Sequence, residues 1–370
     1  MGLDAGYGIG SLKPGVCTSS TRPASPFDGQ VIYMTDVDQT AVWDGTQWTV
    51  LAPIAGGRNR IINGAFDVWQ RGTSFTLANN TDTYTADRWM NWFNGSSNGT
   101  QTASRQTHTV GQTDVPGNPT YFFRWTGTTL GTGQTVIDLR QRIENVAIGA
   151  GQTVTFTYYA KSSSALASGS VSIFFSQNFG SGGSSTVDTT ATLSATNITT
   201  GWVRYIATAT LPSISGKTVG TSNYLQVLMR FSNIVNGLSI DVSNAQLEAG
   251  AVATPFEFED YGTTLLKCKR YYWRNAIYAG GGVGGGGTIP IVSIQFPVTM
   301  RTTPTFGYIS NGPTMNGLAD ETINGLWSGL PSRDTTTDGT ELLFTKTGAA
   351  WTSGQGITVK NVVIEVRAEL

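Results

Sequence analysis

Tryptophan, arginine and asparagine crowd one short stretch of this chain. Trp69, Arg88, Trp89 and Trp92 fall within it, and Asn94 and Asn98 follow. Indole rings stack on the apolar faces of sugar rings while amides and guanidinium groups bond hydroxyls, so the stretch is a candidate carbohydrate-binding cluster. The competing reading is that these aromatics fill the space between two sheets.

Patterns for catalysis are sparse. No GxSxG, HExxH, Walker or zinc-spaced cysteine arrangement occurs. The single histidine, His108, lies in a polar run as a candidate general base. Cys17 and Cys268 cannot form a structural zinc site by themselves and are expected as reduced thiols. Asp67, Asp82, Asp87, Glu144 and Asp241 are scattered. A fold that paired two of them would have the acid and nucleophile of a glycosidase, so cleft geometry is the test. Asp87 and Arg88 beside Trp89 read instead as a structural pair covering an aromatic. The expectation is a protein that is not an enzyme and requires no cofactor.

The elements that must position these residues are strands. Gly numbers 46 of 370 residues and only 13% are charged, which leaves too few Lys, Glu and Arg for extensive surface helices. A chain of this length exceeds what one core fills, so several domains are expected. Residues 1–57 read as a β-meander too small to bury a core alone, which points to assembly. Residues 58–260 carry alternating segments, among them 121–125, 136–143, 153–160, 171–176, 202–210, 224–231 and 238–247, at spacings suited to a jelly-roll β-sandwich. The piece 178–185 reads as a mobile loop tip. Residues 277–370 form a C-terminal β domain that opens on a glycine tract and ends on a strand. The fold class is therefore all-β, in three parts.

Residues 261–276 hold the single helix signal. Leu265, Leu266, Lys269, Tyr272 and Trp273 fall at spacings of three and four, with Gly262, Thr263 and Thr264 as the cap. A lone amphipathic helix must bury its stripe, and three copies meeting on an axis make those five residues a candidate trimer contact. The formal net charge of -1 from 23 basic and 24 acidic residues argues against nucleic acid as a partner. The basic residues around Tyr271 are opposed by Glu257, Glu259 and Asp260 just upstream. No apolar run is long enough to span a bilayer and the first residues lack a signal-peptide core, so neither membrane insertion nor standard export is expected.

Several blocks resemble bacteriophage virion fibre proteins of the podovirus and cyanophage type: GVCTSSTRPASPFDGQVIY with WDGTQW, NRIINGAFDVWQRG with ADRW, AQLEAGAVATPFE with CKRYYW, and FPVTMRTTPTF. The resemblance implies a homotrimeric tail-fibre or receptor-binding protein of the virion, made in the host cytoplasm, that contacts host surface glycan. It further implies that the N-terminal segment faces other virion proteins. A capsid-decorating or head-fibre protein and a polysaccharide-depolymerising tail enzyme remain as alternatives. Residues 58–260 also resemble jelly-roll carbohydrate-binding modules, with Asn63, Gly64 and Phe66 at the start and Asp241, Leu247 and Glu248 at the end. That likeness implies a structural calcium held by Asp67 and Asp241, whose carboxylates are the hard ligands such an ion takes.

Overall fold

The structure is a computed structural model and describes residues 15–36, 39–51, 57–96, 99–282, 291–309, 314–317, 322–323, 332–343 and 356–370. The described residues are all-β apart from one helix. The first sheet has strands β1 (Gly15–Cys17), β2 (Val31–Met34), β3 (Gln39–Trp43) and β4 (Trp48–Leu51). The last three form the expected meander, while β1 pairs with β2 in parallel. Ile32, Met34 and Ala41 make up its buried apolar cluster, a core too small to support much stability alone.

A two-sheet sandwich follows. Its strands are β5 (Ser74–Thr76), β6 (Thr83–Tyr84), β7 (Trp89–Phe93), β8 (Thr100–Thr107), β9 (Tyr121–Thr129), β10 (Val136–Glu144) and β11 (Thr153–Ser162). They continue with β12 (Val171–Asn178), β13 (Val187–Thr190), β14 (Thr192–Leu193), β15 (Val203–Thr210), β16 (Tyr224–Ser232) and β17 (Leu238–Ala249). One sheet has six strands in the order β13-β12-β16-β10-β7-β6, and the other has seven in the order β14-β15-β11-β17-β9-β8-β5. Alternation sets the core. Along β12, Val171, Ile173 and Phe175 are buried between the sheets, and Ser172, Phe174 and Ser176 face outward, half-buried.

The stretch that opens the sandwich, Asn63 to Phe66, is a turn. Asn63 and Phe66 both take positive φ, at 59° each. The turn nevertheless packs where expected, with Ala245 N–H donating to the Gly64 carbonyl at 2.9 Å. A Cβ on Gly64 would stand 2.1 Å from the Ala245 oxygen, so only glycine permits this approach. The segment 178–185 is not a free tip. Ser181 and Thr221 exchange backbone hydrogen bonds at 2.9 and 3.1 Å, and Gly220 N–H donates to Phe179 at 2.7 Å. Cβ atoms on Gly180 and Gly220 would fall 2.1 and 2.0 Å from backbone oxygens across this pairing.

Helix α1 (Tyr261–Lys269) is capped by Asp260, whose side chain accepts from Thr263 N–H, so the cap lies ahead of the Gly262-Thr263-Thr264 expectation. Then come β18 (Tyr272–Gly282), β19 (Ile291–Gln295), β20 (Thr305–Ile309), β21 (Thr314–Gly317), β22 (Thr322–Ile323), β23 (Ser332–Arg333), β24 (Gly339–Leu343) and β25 (Gly356–Arg367). The glycine tract begins inside β18; residues 283–287 of it lie outside the described residues. A buried polar joint ties this region to the sandwich. Arg71 and Arg88 pair with Glu369, the Arg88 guanidinium lies 3.5 Å from the Tyr271 ring centroid, and Arg301 donates to the Ala368 and Glu369 carbonyls at 2.8 Å each. Cys268 is buried against this joint, where desolvation pushes its thiol up. It and Cys17 are free thiols.

Candidate functional site

Most of the expected tryptophan cluster faces inward. Trp89 is fully buried, stacks on Phe66 at 4.9 Å and donates its indole N–H to the Asn63 carbonyl at 2.9 Å. Trp69 stacks on Phe123 at 6.4 Å and donates to the Phe66 carbonyl. Both fill the core and cannot meet a ligand. Arg88, buried in the joint, is held charged by Glu369 against the cost of desolvation. Asn94 spends its amide on a loop, accepting from Thr135 and Val136 N–H at 3.0 Å each and donating to Thr135 Oγ1 at 2.9 Å. Asn98 lies outside the described residues.

Of the three tryptophans in the cluster, Trp92 points outward as a half-buried ring, because it stands three residues from inward Trp89 and strand parity reverses over an odd step. It sits on the outer face of the six-stranded sheet. There Trp92 is opposite Asp138, which is opposite Arg230, which is opposite Ser172. The neighbouring row reads Met90, Arg140, Leu228 and Phe174. Asp138 is wholly buried, accepting from Arg230 Nε at 2.8 Å and Nη2 at 2.9 Å and from Arg140 Nη2 at 2.6 Å. Those bonds hold the Arg230 guanidinium above its ordinary range. The arginines in turn lie against aromatics: Arg140 is 4.9 Å from Trp92, Arg230 is 5.6 Å from Phe174, and Arg142 is 4.9 Å from Tyr224. Asp82 pairs with Arg140 and Arg142 at 3.1 and 3.2 Å.

From Asp138 to Glu144 this face runs along β10 for roughly 20 Å at about 3.3 Å per residue. At its far end Arg142 donates to the Leu370 carbonyl at 2.6 Å. A cleft of about 440 Å³ opens there, between Glu144, Asn145 and Asn223 on one side and Arg301 and Leu370 on the other. The surface thus offers flat aromatic groups, fixed guanidinium donors and carboxylate acceptors in a continuous strip. Such a strip can hold a chain of hydroxyl-bearing rings by stacking and hydrogen bonding.

A second constellation on the outer face of the seven-stranded sheet was not legible as a group. Asp241 accepts from Arg124 Nε and Nη2 at 2.6 and 2.7 Å and faces Lys161 at 3.8 Å. Beside them the rings of Phe122, His108 and Trp202 lie 4.7 to 5.2 Å apart. Burial and the nearby Lys161 charge push His108 down to about 4, so it is neutral at neutral pH. Its Nε2 lies 3.2 Å from Ser243 Oγ. That setting makes it a packed ring rather than a base.

The carboxylates expected to pair do not. Asp241 is engaged by Arg124, whereas Asp67 lines a separate cavity of about 260 Å³ beside Glu257, Glu259, Asp260 and Lys267. Desolvation raises Asp67 to about 6. Among the described residues no group of three or more His, Cys, Asp or Glu is disposed to hold a metal ion. Asp87 is buried against Gln70 and Arg71, and Glu144 pairs with Arg270 at 3.1 Å.

The expected helix stripe is also corrected. Tyr272 and Trp273 belong to β18 and are buried within the chain, so they make no trimer contact. The helix buries Thr264 and Cys268, not Leu265 and Leu266, and Leu266 is 48% exposed. Lys269 is half-buried in its last turn. No described helix is long and apolar enough to cross a membrane.

No family model matches the chain, and no curated protein matches it. Among solved structures it is similar to a putative sugar binding protein from Bacteroides thetaiotaomicron, at 13% identity and a TM-score of 0.30, over 52% of this chain and 99% of that one. It is also similar to the enzymatically active domain of bacteriophage CBA120 tailspike protein 4, at 12% identity and a TM-score of 0.30, over 52% of this chain and 21% of that one. A cyclase from Fischerella sp. TAU matches at 12% identity and a TM-score of 0.35, over 54% of this chain and 97% of that one.

Proposed function

We propose that this chain is a non-enzymatic glycan-binding protein whose contact surface is the outer face of the six-stranded sheet. The observation that carries it is Trp92, a half-buried indole backed by the Arg140 guanidinium at 4.9 Å, beside a buried Asp138 that fixes two arginines at the surface. The indole supplies the stacking platform and Arg140 and Arg230 supply donors already held in place, so little ordering is lost on binding. Affinity electrophoresis through neutral host polysaccharide tests this. Trp92→Ala should abolish the retardation while the melting temperature stays within a few degrees. Retention unchanged in that variant removes the reading, and release of reducing sugars by the unmodified protein replaces it with a depolymerase.

Within this reading the protein is a trimeric bacteriophage fibre or receptor-binding protein of the virion. What supports this is the block resemblance along the chain, together with an N-terminal sheet whose small cluster of Ile32, Met34 and Ala41 is a core too small to support much stability alone. The same resemblance supports that sheet as the side docked on other virion proteins and the sandwich as the side presented to the host. Sedimentation showing a stable monomer would remove the trimer. Antibody labelling of virions distinguishes a tail fibre from a capsid-mounted one.

A further inference from the structure

The seven-stranded face is built like the glycan face but leaves different chemistry free. Lys161, Asp241 and Arg124 stand opposite one another on β11, β17 and β9. Asp241 gives both oxygens to the Arg124 fork, so the trio has two cations and one anion and carries a net positive charge. Lys161 has the 3.8 Å ion pair to Asp241 and lies over the Trp202 and Phe122 rings, and its ammonium makes no hydrogen bond among the described residues. Arg124 bonds through Nε and Nη2, and its Nη1 makes no hydrogen bond among the described residues. On the six-stranded face, by contrast, Arg140 and Arg142 are both paired to Asp82. The aromatic part is also in place. Trp202 directly precedes Val203, which is opposite Ala160, so its half-buried indole flanks Lys161, whose Nζ lies 5.0 Å from the ring centroid. Phe122 and His108 back the indole at 5.2 and 5.1 Å and fix its position.

We propose that this face is a second saccharide site, selective for an acidic sugar. The pyranose ring stacks on Trp202 while its carboxylate reaches Lys161 and the Nη1 of Arg124. A neutral sugar would leave both donors with water. An acidic one adds charge-assisted hydrogen bonds at a place where the local charge is positive and half-desolvated. The two faces then take neutral and acidic glycans respectively, on opposite sides of one sandwich.

Calorimetric titration of the full chain with a galacturonate trisaccharide, and with the uncharged galactose trisaccharide as control, tests the site. The uronate should bind, more weakly as salt is raised, and the neutral sugar should bind this face at least about tenfold less well. Lys161→Met keeps the stem over the aromatics and leaves Asp241 paired with Arg124, so it should fold normally and lose at least about tenfold in uronate affinity. Trp202→Ala should do the same, and Trp92→Ala should not. Absence of uronate binding at millimolar concentration, affinity unchanged in Lys161→Met, or loss of uronate binding in Trp92→Ala each overturns the proposal. Because the six-stranded face is read out by Trp92→Ala on neutral polysaccharide, either site can fail without the other.

Discussion

The two outer faces of the sandwich share one device and differ in how completely it is tied down. On each, a buried aspartate receives a forked arginine from the neighbouring strand: Asp138 from Arg230, and Asp241 from Arg124. On each, a second cation stands beside the aspartate and over an aromatic ring, Arg140 over Trp92 and Lys161 over Trp202. The six-stranded face closes this lattice, since Arg140 bonds Asp138 at 2.6 Å as well as Asp82. The seven-stranded face leaves it open at Lys161. A cation held by two carboxylates presents its remaining N–H groups in a fixed place, whereas a cation with most of its donors unused can turn to meet a charged ligand.

The comparison can be broken first at its reference point, the inward side. Trp89→Ala removes a fully buried indole from the core and should cost about 3–5 kcal/mol in urea unfolding, while outward Trp92→Ala should cost under about 1 kcal/mol. Equal costs would mean that Trp92 is a core residue and the face is not a platform. Next comes the aspartate on each face. Asp138→Ala strands Arg230, about one-third exposed, leaves Arg140 to Asp82 alone, and should cost about 2–3 kcal/mol. Asp241→Ala strands Arg124 and Lys161, which are about one-third exposed, and should cost only about 1–2 kcal/mol. A reversed order would contradict the tighter closure of the six-stranded face.

The smallest effects are in pH. His108, near 4 when folded and 6.5 when free, is protonated first in the unfolded chain as pH falls, so its contribution to stability is lost between about 6.5 and 4. His108→Phe should flatten that fall, by roughly 1 kcal/mol after allowance for solvent. Asp67 has the opposite sign. With a folded value of about 6 above a free value of 3.8, it contributes stability at low pH that is lost as pH rises through 6. Asp67→Asn should therefore raise the melting temperature at pH 8 and leave it unchanged at pH 3.

What the sequence showed and hid follows from the range of the interactions. Strands such as Val136–Glu144 and Tyr224–Ser232 are legible because alternation is local. Which way a given tryptophan points depends on parity. Trp89 and Trp92 differ in that alone, so a cluster in sequence divides between core and surface. The seven-stranded face joins Arg124 to Asp241 across 117 positions and His108 to Ser243 across 135, and no local pattern connects them. The helix stripe misled for a related reason. Tyr272 and Trp273 keep a helical spacing from Leu265 and Leu266, but the chain leaves the helix after Lys269, and they are buried as strand residues instead.

The close backbone pairing around Gly180 and Gly220 bears on how this protein can diversify. Loops of a recognition protein ordinarily absorb substitutions freely. Here a comprehensive substitution library should be depleted of every replacement at Gly180 and Gly220, where an added carbon meets an oxygen at 2.1 and 2.0 Å. It should accept them at Gly201, where a Cβ meets nothing within 4 Å and Trp202 is the next residue. Specificity would therefore evolve more readily beside Trp202 than at that end of the sandwich.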